Sequence, residues 1–178
     1  MQPTAVTWAV LGLLALGERS GYDIKRAVDR SIRHFWAASY GQIYPELKRL
    51  EEDGWIAGKD ADRGGRSRRV YRITALGRRE LGAWLHGHET RIEVRDESLL
   101  RLFFADALPH NEALGLLAAR REGYRMMLEY LRGLDDGDGA DPPFVDLVYR
   151  WGLDYFEWGI EWCDRQERRL RPRLRANA

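Results

Sequence analysis

The chain has 178 residues, 44% hydrophobic and 32% charged, with a net charge of +1, a composition that fits one ordinary domain or two small ones and excludes a disordered polymer. Its one cysteine, Cys163, excludes an intrachain disulfide and a thiolate metal cluster. The small net charge hides an asymmetry: residues 1–85 hold 15 basic and 10 acidic side chains, residues 86–178 hold 14 and 18, which suggests a polyanion-binding module joined to something else.

The longest apolar run, Ala5 to Leu16, is 12 residues, short of the roughly 20 needed to cross a bilayer. No Lys or Arg precedes it, so the charged start of a secretory signal is missing. The run predicts a buried first helix ending at Gly17, in a cytoplasmic protein without a membrane partner. A second helix starts near Ser20, whose hydroxyl can cap it, and carries Ile24, Val28 and Ile32 on one face. The stretch SYGQIYPELKRLEEDGWI, from Ser39, predicts a third helix with Ile43, Leu47 and Leu50 inward and Gly54 as its stop. Ser39 and Gln42 have capping-box spacing. Pro45 predicts either an irregular first turn or a regular helix that begins near Tyr44.

Two β-prone segments follow, GWIAGK and RRVYRIT, around DADRGGRS with Gly64-Gly65 at the tip. Thr74 can cap a fourth helix, ALGRRELGAWL. Three helices and a hairpin in this order predict a winged helix-turn-helix, whose third helix enters the major groove while the wing touches the backbone or minor groove. The predicted boundary falls at 88, with a DNA-binding domain over 1–88 and a helical dimerisation and effector-sensing domain over 89–178. In the second half, helices are expected over Glu97–Ala107, Asn111–Leu134 and Phe144–Arg171, with DDGDGADPP as the loop between the last two and a tail that frays after Pro172. These three helices are too few for a self-sufficient bundle, and pairing with a second chain solves that problem.

A helix lying in a groove needs one face for its core and another for DNA. Gln42 can reach an adenine edge, and Tyr40 and Tyr44 can donate to phosphates or pack on thymine methyls, with Lys48 beside them. Ser39 offers a hydroxyl and backbone amides to a phosphate. The alternative is a cap at Ser39 and half-buried packing at the tyrosines. Tyr22 and Lys25 face a phosphate if the second helix crosses the backbone; otherwise they are a packed ring and a solvated cation. Arg63, Arg66, Arg68 and Arg69 crowd the hairpin tip and repel one another unless a polyanion neutralises them, the alternative being a solvated loop.

Trp151, Tyr155, Trp158 and Trp162 recur along one face of the last helix, extended by Phe144, Val148 and Phe156. With Phe103 and Met127 they form either a dimer interface or a pocket for a flat effector; interface is the commoner use of such a stripe. His86 and His88 lack a third ligand nearby, so no metal or cofactor is expected. There is no P-loop, no G-x-S-x-G elbow and no paired Cys/His set, which argues against an enzyme. A winged-helix module for protein partners, without specific DNA binding, is the other alternative.

SGYDIKRAV, YGQIYPELKRLEEDGWI and GGRSRRVYRITALGRREL together closely resemble the PadR-like family of bacterial transcriptional regulators, and LLRLFFADALPHNEAL resembles the start of that family's larger C-terminal domain. The Y-P-x-L-x-R-L-E-x-x-G-W-I run and the R-x-Y-x-I-T strand are the most specific elements. The resemblance implies a homodimeric, usually repressing regulator that binds an inverted repeat in double-stranded DNA, held together by its C-terminal helices and able to sense a small molecule. The wing departs from the pattern, reading G-G-R-S-R where members often have a Pro.

Overall fold

The computed structural model describes residues 3–31, 40–63, 66–87, 95–134 and 142–176. The chain divides into two compact units, residues 1–90 and 91–178.

In the first unit α1 (Ala5–Ala15) is the apolar run, with Val10, Leu11 and Leu14 essentially removed from water. After Gly17 the two-residue strand β1 (Arg19–Ser20) leads into α2 (Gly21–Ser31). Ser20 caps α2 as its sequence predicts: its Oγ accepts from the Asp23 amide at 3.2 Å, and Asp23 Oδ2 accepts from the Ser20 amide at 3.1 Å. The irregular start expected from Pro45 is present as a 3-10 turn over Tyr40–Gln42, followed by α3 (Ile43–Glu52). Pro45 is tolerated because the first amides of a helix have no intrahelical acceptor. Gln42 makes no side-chain cap, and the Ser39 cap lies outside the described residues. Gly54 ends the helix with φ 73°, the left-handed region a side chain resists.

Strands β2 (Ile56–Arg63) and β3 (Arg66–Ile73) pair antiparallel, with Ile56 opposite Ile73 and Arg63 opposite Arg66. β1 adds to the far edge, Ser20 opposite Val70, giving the order β1-β3-β2. Thr74 caps α4 (Ala75–His86) by accepting from the Gly77 amide at 3.1 Å. One core collects the inward faces of α1, α2 and α3 with Ile56, Ile73 and Leu81. Trp8 and Trp84 stack at 5.2 Å and tie α1 to α4.

The second unit holds α5 (Glu97–Phe103), α6 (His110–Arg132) and α7 (Pro143–Ala176). The first expected helix is cut short: the backbone leaves the α region at Phe104, and Ala105–Ala107 form a 3-10 turn. The expected fraying after Pro172 is also corrected, since α7 runs through Pro172 to Ala176. Leu117, Tyr124, Leu128 and Leu131 of α6 pack on Phe156 and Cys163 of α7. Most of the DDGDGADPP loop lies outside the described residues.

Candidate nucleic-acid interface

Helix α3 has two unlike faces. Ile43, Leu47 and Leu50 are at most 1% exposed, whereas Tyr44 is 57% exposed and Gln42 and Lys48 face outward with it. Burying three large aliphatic groups, each worth roughly 1.5–3 kcal/mol, fixes the helix on its core and leaves the polar face outside. Tyr44 nevertheless lies against the backbone of Gly21, so its ring is both packed and presented. Lys48 forms an ion pair with Glu52 one turn on at 3.9 Å, and with both side chains open to solvent it restrains the lysine weakly.

The inward face also holds a charge. Glu46 is 9% exposed and accepts from the Thr7 hydroxyl and from Arg49 Nε at 3.0 Å. Arg49 donates further to Thr7 Oγ1 at 3.1 Å and to Asp53 at 3.1 Å. Burial pushes the Glu46 carboxyl upward, and the bonds from Arg49 and Thr7 outweigh it, so its pKa lies below the usual glutamate value. This tie fastens α3 to α1.

Tyr22 and Lys25 stand on the exposed side of α2, Tyr22 at 60% exposure. The wing differs from the expectation of four mutually repelling arginines. Arg68 pairs with Asp23, which also binds the Ser20 hydroxyl. Arg69 reaches Glu51 at 2.6 Å and Asp60 at 3.0 Å. These two cations have carboxylates of their own and need no external polyanion for neutrality. Ser39 and the side chains of Tyr40, Arg63 and Arg66 lie outside the described residues; the strand register still sets Arg63 opposite Arg66 beside the hairpin tip.

In the second unit Trp151, Tyr155 and Trp158 are 52%, 37% and 51% exposed, with Trp151 and Tyr155 stacked at 5.4 Å. Phe103 is also exposed. Phe156 does not belong to this stripe. It is buried against Tyr124 at 6.0 Å, because position 156 falls on the α7 face of Gly152, Gly159 and Cys163 that meets α6. Met127 and Trp162 are partly buried against the same core. Burial raises the Cys163 thiol pKa, as expected of inert packing. His86 bonds the Gly82 carbonyl at 2.6 Å, His88 lies outside the described residues, and among the described residues no three metal-ligating side chains cluster. Nor is any helix among them long and apolar enough to cross a membrane.

The residues missed by sequence reasoning are the acidic partners Asp23, Glu46 and Glu51. One signal was available: Glu51, Glu52 and Asp53 sit at the C-terminal end of a helix, where its dipole disfavours negative charge and calls for cations.

The fold, with its capped second helix, two-faced third helix and β-hairpin, is a winged helix-turn-helix followed by a helical C-terminal unit. Residues 10–83 match the Transcriptional regulator PadR-like family and residues 94–171 match Virulence activator alpha C-term. The chain is 37% identical to the negative transcriptional regulator PadR of Bacillus subtilis over 71% of its own length and 70% of that protein's. It is 31% identical to a probable transcriptional regulator of Mycobacterium tuberculosis over 90% and 94% of the two chains. The chain therefore belongs to the PadR-like family of transcriptional regulators, and these relatives are regulators rather than enzymes. The crystal structure of B. subtilis PadR with operator DNA superposes with a TM-score of 0.82 at 31% identity, covering 92% of this chain and 98% of that one. The same relative with p-coumaric acid gives a TM-score of 0.75 at 30% identity, covering 94% and 96%.

Proposed function

We propose that this chain is a homodimeric repressor that binds an inverted repeat in double-stranded DNA, one protomer to each half-site, and releases it on binding a small aromatic molecule. The observation that carries the reading is the two-faced α3, whose outward Gln42, Tyr44 and Lys48 stand on a fully buried aliphatic face. Gln42 is assigned to a base edge, Tyr40 and Tyr44 to phosphates or thymine methyls, and Ser39, Tyr22, Lys25 and Lys48 to phosphates. Arg63 and Arg66, nearest the hairpin tip, supply the wing's phosphate contacts, while Arg68 and Arg69 are paired to Asp23, Glu51 and Asp60. The half-site centres lie about 34 Å apart, one helical turn of DNA.

Support for dimerisation comes from the exposed aromatic face of α7. Support for the operator, for repression and for an aromatic effector comes from B. subtilis PadR, a negative regulator solved with operator DNA and with p-coumaric acid. The test is selection of genomic fragments by the purified chain, followed by salt-titrated fluorescence anisotropy. Enrichment of an inverted repeat, with log affinity falling steeply against log salt, is expected. Weak, unenriched binding would leave the winged helix as a scaffold for a protein partner. Gln42→Ala is expected to relax preference at one base position and cost about 1–3 kcal/mol, whereas an unchanged sequence profile would move base readout to another side chain.

A further inference from the structure

Glu51 sits in the last turn of α3, where the helix dipole disfavours a carboxylate. It is held there by both strands of the wing. The Gly58 amide of β2 donates to Glu51 Oε1 at 2.9 Å. Arg69 of β3 meets the carboxylate side-on, Nη2 to Oε1 at 2.6 Å and Nε to Oε2 at 3.3 Å, while its Nη1 reaches Asp60 of β2 at 3.0 Å. The guanidinium also lies over the Tyr71 ring, 6.0 Å from its centroid. One arginine thus joins the end of α3 to both strands of the hairpin through a two-pronged, geometrically specific pair.

Such a pair adds little stability when half-solvated, and these side chains are 42% and 29% exposed. What it supplies is direction. Among the described residues β1 pairs only with Val70 and Tyr71, so from Arg69 to the tip the wing is a two-stranded ribbon. A ribbon of this kind holds its shape poorly alone, and a wing must be held at one angle to the reading helix for both to reach the same duplex. We propose that Arg69 and Glu51 are positioning residues that lock the wing to α3, and that Arg69 does not contact phosphate. The proposal rests on the DNA-binding reading above.

The two roles predict opposite signs for one variant. If Arg69 were a phosphate contact, Glu51→Gln would remove a negative charge beside a polyanion and release the arginine, so binding would tighten or hold. As a positioning pair, Glu51→Gln weakens binding about tenfold with the salt slope unchanged. Arg69→Lys, which keeps the charge and loses the fork, weakens it similarly, and the double variant is no worse than either single one. The probe is a labelled duplex taken from the fragments the wild-type full chain selects. Amide hydrogen exchange of β2 and β3 without DNA is the second readout, and it is faster in Glu51→Gln. Unchanged or tighter binding by Glu51→Gln overturns the proposal. So does a salt slope about one unit flatter in Arg69→Gln with Glu51→Gln silent. If the wild-type chain selects no DNA, the repressor reading fails and exchange alone decides: unchanged wing amides in Glu51→Gln overturn the tie, and faster ones uphold it.

Discussion

Thr7 shows how much one buried hydroxyl can organise. Its oxygen accepts from the Thr4 amide at 2.8 Å and from Arg49 at 3.1 Å, and its proton goes to Glu46. That uses the group's whole hydrogen-bonding capacity. Thr7→Val keeps the shape but removes the acceptor of the Thr4 amide and one of the two donors to Glu46 Oε1. It is expected to cost about 1–3 kcal/mol in urea denaturation; an unchanged midpoint would mean that water replaces the hydroxyl. Gly159 is a second such position. A Cβ there would lie 2.7–2.9 Å from ring atoms of Tyr124, a ring already held by Arg120 at 4.8 Å. Gly159→Ala therefore forces α6 and α7 apart, with an expected loss of about 1–3 kcal/mol of stability, and a wild-type melting temperature would show that the ring yields.

At the scale of elements, α7 divides its sides sharply. Tyr149, Gly152, Phe156, Gly159 and Cys163 recur at spacings of three and four and turn toward α6, where the Tyr149 hydroxyl donates to the Leu131 carbonyl at 3.2 Å. Phe144, Leu147, Trp151 and Trp158, all more than half exposed, run along another side. This apolar strip covers residues 144–158, about 21 Å of the helix, and contiguous exposed apolar surface of this kind marks an interaction site. On the proposed dimer, in which this strip meets a second copy, Trp151→Glu with Trp158→Glu is expected to give a folded monomer by analytical ultracentrifugation, with DNA affinity lowered at least about tenfold through loss of the proposed second half-site. A variant that remains a tight dimer would move the interface elsewhere, the exposed Phe103 and Phe104 being the next candidates.

At the scale of the whole molecule, five carboxylates among the described residues share one electrostatic bias. Asp23, Glu46, Glu51, Asp96 and Glu167 all titrate below their ordinary values of 3.8 or 4.5. At Asp23, Glu46 and Asp96 burial pushes upward, and bonds from Ser20 and Arg68, from Arg49 and Thr7, and from Ser98 and Arg120 more than undo it. At Glu51 and Glu167 the bonds from Arg69 and from Arg171 and Arg121 come first. A depressed native pKa stabilises fully above the unfolded value and is lost as pH falls through the native one. Urea midpoints are therefore expected to stay level from neutral pH to about 5 and to fall below about 4.5. Midpoints that rise on acidification would contradict these pairings. Both units take part, since Asp96 and Glu167 lie in the second.

The sequence by itself determined the order of the helices and the hairpin, the burial of α1, the inward turn of Ile24 and Val28 in α2 and of Ile43, Leu47 and Leu50 in α3, the Ser20 and Thr74 caps and the break caused by Gly54. All of these are local: apolar periodicity, a capping hydroxyl and a backbone preference act within a few residues of where they are written. Only the tertiary structure decided that Arg69 meets Glu51 from 18 positions away, that Phe156 turns inward while Tyr155 stays half-open, and that Arg19 and Ser20 form a strand. A two-residue strand has no period to detect and exists only because β3 lies beside it. A run of arginines likewise states its charge but not its partners, because which carboxylate each cation meets depends on how distant segments are packed together.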